Sequence, residues 1–386
     1  MKITQEKHSV QTWDNKAPHE SPFATSRDIT GLARTGRYVS YTKADTWYPS
    51  WGSDDRLYTP FTDGTVFGVE SMSMERHDGI DAVTGHAIIS GGDPLDLHIS
   101  GVGTQVGPAS PYSGRYPSAS LMHDGTWYYG TYCLEDAGRG LNWDILGPFV
   151  GFRTSQDNGE TWQEGPHTPA ASIFGESALS GEPVRMGAPH FVDLGRNMQH
   201  SPEGYAYLVG HGSRVRGANL SWISGDEITL ARIQPTPEAI HDPSQYEWAA
   251  GRNRDGSPRW VASLDDAKPI ASWPGHMGCV TVTYLPHKRK YLMCVTDGWP
   301  TIKEMHSYVL EADDLHGPWR MAAYMDEFGV QGYFLNFPSK FIDEDNSHAW
   351  LCYSANFTNG YLGTQWKADP EGSRYSMCLQ ELTILS

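Results

Sequence analysis

Strand-like runs separated by glycine, proline and charged turns recur along the whole chain, while long amphipathic helical periodicity is nearly absent. Among these runs are GTWYYGTYCL, GPFVGFRTS, YAYLVGHG, EITLARI, CVTVTYL, HAWLCYSAN and SMCLQELTIL. Five segments stand out one level up, each opened by polar or small residues and followed by a second strand. They begin at Asp45, Arg115, Arg185, His276 and Asn336, with starts 70, 70, 91 and 60 residues apart. A four-stranded sheet repeated radially is a propeller blade, and five such blades fit 386 residues. The expected fold class is therefore all-β, a five-bladed β-propeller with four-stranded antiparallel blades around a central funnel. It is expected as a single domain over 1–386, with residues 1–40 as an N-terminal extension and closing strand. The polar stretch 235–262 lies in the longest interval and reads as a loop insertion.

Composition agrees. The chain has 41 Gly, 25 Pro and an aromatic set of 14 Trp, 20 Tyr and 12 Phe, which suits a turn-rich β core. A net charge of −17 argues against nucleic acid or an anionic membrane as partner. No stretch approaches the roughly 20 apolar residues of a membrane span, and the first residues lack an apolar core typical of a secretory signal. The five cysteines form no CxxC pair and read as small buried hydrophobes in a reducing compartment. These features predict a cytoplasmic location. No dinucleotide, Walker, zinc-protease or nucleophile-elbow motif is present, so no cofactor is expected.

One local motif belongs to the scaffold. Ser155-Gln156-Asp157-Asn158-Gly159-Glu160-Thr161-Trp162 matches S-x-D-x-G-x-T-W and resembles the Asp-box of sialidases and other propellers. In it an aspartate caps the turn, glycine takes the left-handed position and tryptophan packs between strands.

Residues that open inner strands converge on one end of a propeller tunnel, the default place for a ligand. This puts Asp45, Arg115, Tyr116, Arg185, His276, Asn336 and Lys340 in or near a single funnel. With the first hairpin centred on Asp54, paired residues sum to 108, which makes Asp45 and Asp63 direct cross-strand neighbours. Two carboxylates at that spacing share a proton, and about 5–5.5 Å between them suits retaining glycoside cleavage. The alternative is that Asp63-Gly64 is a turn and Asp45 a strand-opening cap. Glu135, Asp136, Asp297 and Glu182 compete for the acid role, each also readable as a solvated turn residue. Trp47, Trp51, Tyr116, Tyr129, Trp299 and Tyr333 offer flat faces for sugar stacking. His190 and His276 are candidates for binding substrate hydroxyls or holding a central cation, so a structural Ca²⁺ in the funnel is compatible with the sequence.

DTWYPSW…DDRLYTPFTDG, GAPHFVD, W-x-x-GDEITLARI, YEWAAG…G-x-PRW, VTVTYLPHKRKYLM and GPW…YFLNFPSKFI together resemble a family of five-bladed propellers first catalogued as a domain of unknown function. That family is associated with glycoside hydrolases that include endo-D-arabinanases, and the similarity runs from about residue 25 to the end. In the resembling enzymes two N-terminal aspartates are the suspected catalytic pair, which carries over onto Asp45 and Asp63. The resemblance implies an oligosaccharide or glycoside substrate. The absent export signal departs from the pattern and favours an imported oligosaccharide over a cell-wall polymer. Two other readings remain: a phosphorolytic or lyase propeller using Arg115, Arg185, Arg214 and Arg216 with a His or Tyr base, and a non-catalytic sugar-binding propeller.

Overall fold

Each of the five inner segments leads one antiparallel sheet, and the sheets follow one another around a common axis. A computed structural model describes residues 11–74, 81–138, 143–298, 305–326, 328, 330–357 and 368–386. Blade one has an interrupted inner strand, Lys43–Asp45 and Ser50–Trp51, followed by Leu57–Val66, Ala82–Ser90 and His98–Gly107. Blade two runs Gly114–His123, Thr126–Glu135, Ile145–Ser155 and Gln163–Glu164. Blade three runs Gly187–Phe191, Ala206–Gly212, Glu227–Ile233 and Glu247–Arg252, with Pro258–Val261 added outside. Blade four runs Val280–Leu285, Lys290–Val295, Tyr308–Ala312 and Arg320–Tyr324. Blade five takes Tyr333–Asn336, His348–Ser354 and Met377–Leu385 from the C-terminal part of the chain.

The fourth strand of blade five comes from the other end of the chain. Gly31–Tyr41 pairs with Met377–Leu385, and Thr12–Asp14 adds outside it. Between these two, Thr25 bridges Met321 on the edge of blade four. The N-terminal segment thus fastens blade four as well as blade five. Ser26 Oγ donates 2.9 Å to the fully buried Glu311, and Lys290 reaches Glu311 at 3.4 Å and Asp313 at 2.7 Å, with Asp28 as a third partner.

Residues 235–262 correct the expectation of a loop insertion. Trp248 pairs with Ala231 and Glu247 with Arg232, which makes this stretch the fourth strand of blade three, and Trp260 pairs with Ala249 beyond it. Trp248, Ala249 and Ala250 are buried in succession, so both faces of this strand are covered, and the exposed positions fall at Arg252 and on the added outer strand at Pro258 and Arg259. Its polar outer positions gave it the composition of a loop.

Blades are joined by large side chains and by hydroxyls that cap neighbouring carbonyls. Ser120 Oγ donates to Tyr58 O at 3.1 Å, Thr281 Oγ1 to Leu335 O at 2.7 Å and Thr283 Oγ1 to Phe337 O at 2.8 Å. The Asp-box forms as expected. Thr161 N and Thr161 Oγ1 donate to Asp157, Gly159 has φ +91°, and Trp162 packs 5.2 Å from Trp127 and 5.1 Å from His86. It lies at the end of the blade where inner strands finish, opposite Asp45. All five cysteines are buried and unbridged. No described helix is long and apolar enough to cross a membrane.

Candidate active site

The first hairpin keeps the predicted register at both ends: Lys43 pairs with Thr65, Ser50 with Tyr58 and Trp51 with Leu57. Between them it shifts, and Asp45 pairs with Thr62 rather than Asp63. Two compensating irregularities cause this. Asp63 is an extra residue on the second strand with φ +50°, and Thr46 on the inner strand has φ +65°. A bulge leaves one residue outside the ladder and re-aims its side chain. The direct cross-strand pairing is therefore corrected to a bulged one. Gly64 lets the two strands close up, since a Cβ there would lie 1.9 Å from Lys43 O.

The two carboxyls nonetheless share one environment. Asp45 is 8% exposed and accepts from Tyr333 Oη at 2.9 Å and Thr46 Oγ1 at 3.0 Å. Asp63 retains more exposure and accepts from Ser73 N at 2.7 Å and Thr62 Oγ1 at 3.3 Å. Burial, and then the charge of Asp63, push Asp45 well above the usual carboxylate range. Burial pushes Asp63 up to about 6, against the Ser73 and Thr62 donors that favour its anion. Burial and mutual repulsion thus both favour a proton being retained by the pair. Tyr375 Oη donates to Asp63 O at 2.9 Å and also stabilises the Asp45 anion.

Aromatic rings wall the pair. Tyr333 is packed by Trp222 at 5.3 Å and Phe357 at 5.7 Å, while Tyr116 packs Tyr132 at 6.0 Å and Trp143 at 5.4 Å. Trp222 comes from the loop between the second and third strands of blade three, tied to blade four by Cys279 N donating to Trp222 O at 2.9 Å. Below the pair, Tyr48 stacks on His190 with ring centroids 3.7 Å apart, and both line a cavity of about 40 Å³ on the axis. Similar irregularities recur where other inner strands meet the funnel: Ala188 has φ +39° and Phe334 φ +57°, each at a register shift.

The remaining sequence candidates are distributed unevenly. Tyr116 packs on Tyr132 and Trp143, and His190 lines the axial cavity with Tyr48. His276 sits on the rim of blade four, stacked on Trp273 at 4.4 Å, its Nδ1 2.8 Å from the buried Asp297. Arg185 is on the rim of blade three, held by Glu176 at 3.1 Å and Asp265 at 2.7 Å. Arg115 turns away between blades one and two and donates to Thr131 Oγ1 at 2.9 Å. Trp47 is also between blades, donating to Ala44 O at 2.8 Å and stacking on Phe61. Asn336 braces blade five against blade one through Trp47 O at 2.9 Å. Lys340 lies at the opposite end of the inner strands, on Asp55 at 3.2 Å. Among the competing carboxylates, Glu135 accepts from Ser113 Oγ at 2.8 Å, Asp136 caps its own turn and Glu182 pairs with Arg216. Trp51 binds Asp55, and Tyr129 Oη caps Gly85 O between blades. Trp299 lies outside the described residues.

Tyr48, Tyr132, Tyr375 and Trp222 were not found by sequence reasoning. For Tyr48 a signal existed, since it follows Asp45 by three residues on the same inner segment, and Trp222 opens the W-x-x-GDEITLARI stretch; Tyr375 comes from a connection whose sequence carries none. Among the described residues no three His, Cys, Asp or Glu side chains come together to hold a metal ion. On the axis, Asp193 accepts from Ser339 N and Oγ, each at 2.7 Å, and from Gly195 N at 3.0 Å.

No family model matches the chain, and no curated protein matches it. Among solved structures it is similar to a putative hydrolase from Bacteroides ovatus, with 9% identity, TM-score 0.49 and coverage of 98% of this chain and 96% of that one. It is also similar to a GH43_1 enzyme from Xanthomonas citri, with 11% identity, TM-score 0.47 and coverage of 89% and 88%. A third is an alpha-L-arabinofuranosidase from Podospora anserina, in complex with cellotriose, with 10% identity, TM-score 0.44 and coverage of 94% of each chain. At these values the likeness lends this chain no activity.

Proposed function

We propose that the protein is a glycoside hydrolase that cleaves furanosidic or related neutral oligosaccharide linkages by a retaining double displacement. The observation that carries this reading is the Asp45–Asp63 pair: two interacting carboxyls, both shifted upward, in an aromatic-walled funnel. Asp63, the member that ionises more readily, attacks the anomeric carbon as the bond to the leaving oxygen breaks. Asp45 gives its proton to that oxygen. Asp45 then takes a proton from water, whose oxygen displaces Asp63 from the sugar, and the starting protonation is restored. Tyr333 and Thr46 hold Asp45 in place as its charge changes.

The commitments of the candidate anion-binding arginines favour a neutral substrate. Among the described residues Arg115 lies between blades, Arg185 and Arg214 are matched by Glu176, Asp265 and Glu227, and Arg216 by Glu182. This speaks against a uronate lyase or a phosphorylase. Hydrolysis of p-nitrophenyl furanosides and of arabino-, fructo- and gluco-oligosaccharides, with Asp45→Asn and Asp63→Asn as controls, tests the reading. Full activity in both variants would sink it. NMR of the first-formed anomer tests the double displacement separately, and an inverted product would refute that step.

A further inference from the structure

The polar groups around the axial cavity are not equally committed. Ser120, Thr281 and Thr283 give their hydroxyl hydrogens to carbonyls of neighbouring blades, and Asn336 gives its amide to Trp47 O. Asp193 is bound by Ser339 and Gly195. Two residues lining the same cavity remain: Tyr48 Oη and both ring nitrogens of His190 have no hydrogen-bond partner among the described residues. Tyr48 is only 7% exposed and His190 3%. Unsatisfied buried polar groups are rare in native proteins and each calls for a partner.

Their place narrows what that partner is. Tyr48 follows Asp45 by three residues on the same inner segment, so it lies about 10 Å further along the strand at most. Its phenol feels the charge of Asp45. Its ring is fixed between His190 and Phe334, the latter 5.7 Å away and next in the chain to Tyr333. The ring is therefore held rigidly by its packing, on the inner segment that carries Asp45. Burial pushes His190 down to about 3, so its ring stays neutral in ordinary buffers and repels no donor.

Resting on the hydrolase reading, we propose that Tyr48 Oη is a substrate-binding group that hydrogen-bonds a hydroxyl of the sugar seated on Asp45 and Asp63, with His190 as the fixed platform beneath it. The nitrogens of His190 are hydrated within the cavity, whose volume of about 40 Å³ accommodates ordered water. A site built to pair with a sugar hydroxyl discriminates strongly against an analogue lacking it, because its own polar group is then stranded. The funnel floor thus reads one position of a neutral sugar ring.

The test compares wild type with Tyr48→Phe on p-nitrophenyl arabinofuranoside and its 2-, 3- and 5-deoxy derivatives, with thermal melting of both proteins. Expected is a drop in kcat/KM of about ten- to a hundred-fold on the parent glycoside, little or no drop on one deoxy derivative, and a Tm equal to or above wild type. Unchanged kcat/KM, an equal loss on every derivative, or a lowered Tm overturns the proposal, the last because it gives the hydroxyl a structural partner. Wild-type turnover of the parent is the separate control. Its absence overturns the hydrolase reading and this inference together, whereas turnover with an unaffected variant overturns this inference alone.

Discussion

Tyr333 of the fifth blade donates its phenolic hydrogen to Asp45 of the first across 2.9 Å, joining the last inner strand to the first at the point where chemistry is proposed. The donor stabilises the Asp45 anion against burial and the charge of Asp63. Tyr333→Phe should hold the Asp45 proton to higher pH and move the alkaline limb of the kcat/KM profile upward. Loss of a hydrogen bond to a charged group, about 1.5–3 kcal/mol, corresponds to roughly a ten- to hundred-fold fall in kcat/KM. An unmoved alkaline limb would show that Tyr333 only packs.

The acid limb should follow Asp63. With its carboxyl pushed up to about 6, activity is expected to fall as pH drops through about 6. Asp45→Asn and Asp63→Asn should each lower kcat by about 10²–10⁴-fold, and added azide should give a glycosyl azide of inverted configuration with the Asp63 variant, whose nucleophile is missing, and of retained configuration with the Asp45 variant. NMR of the azide products decides the assignment.

The same shift has a thermodynamic counterpart. The folded protein binds a proton at Asp63 more tightly than the unfolded chain does, so this group favours folding at low pH. That contribution is lost as pH rises from about 4 through about 6. Asp63→Asn removes it, and the variant's Tm relative to wild type should increase between pH 4 and 7. A constant difference across that range would contradict the upward shift.

Closure by the N-terminal segment should be costly to unbalance. Glu311 is fully buried, with Ser26 and Lys290 as partners. Lys290→Met leaves that carboxylate without its cation and should cost about 3–5 kcal/mol. A Lys290→Met/Glu311→Leu double variant should recover most of the loss, as read by urea denaturation. Additive losses in the double variant would argue against the pairing.

Much of the architecture is legible in the sequence because propeller blades punctuate themselves. Arg115, Arg185 and His276 mark the start of an observed inner strand, whereas Asp45 falls at the break in the first and Asn336 ends the fifth rather than opening it. The Asp-box is legible for the same reason, since its turn needs particular residues at fixed offsets. What escaped is side-chain direction. Strand alternation sends Arg115, Trp47 and Asn336 between blades, while the left-handed residues Thr46, Asp63, Ala188 and Phe334 reset it near the axis. None of these four is a glycine, so nothing local marks them; the surrounding packing imposes them. Residues 235–262 misled for the opposite reason, being outer strands whose exposed positions have a loop's composition.

The extra residue at position 63 has a consequence for how such a site is gained or lost. Because the hairpin keeps its register on both sides of the irregularity, the barrel-like closure of the blades does not depend on it. Removing residue 63 together with its compensating partner Thr46, one residue from each strand, would restore regular pairing and take a carboxyl out of the funnel while leaving the rest of the sheet intact. The boundary between a sugar-cleaving propeller and a sugar-holding one would then be a paired insertion or deletion rather than a substitution, and comparisons that score only residue identities would pass over it.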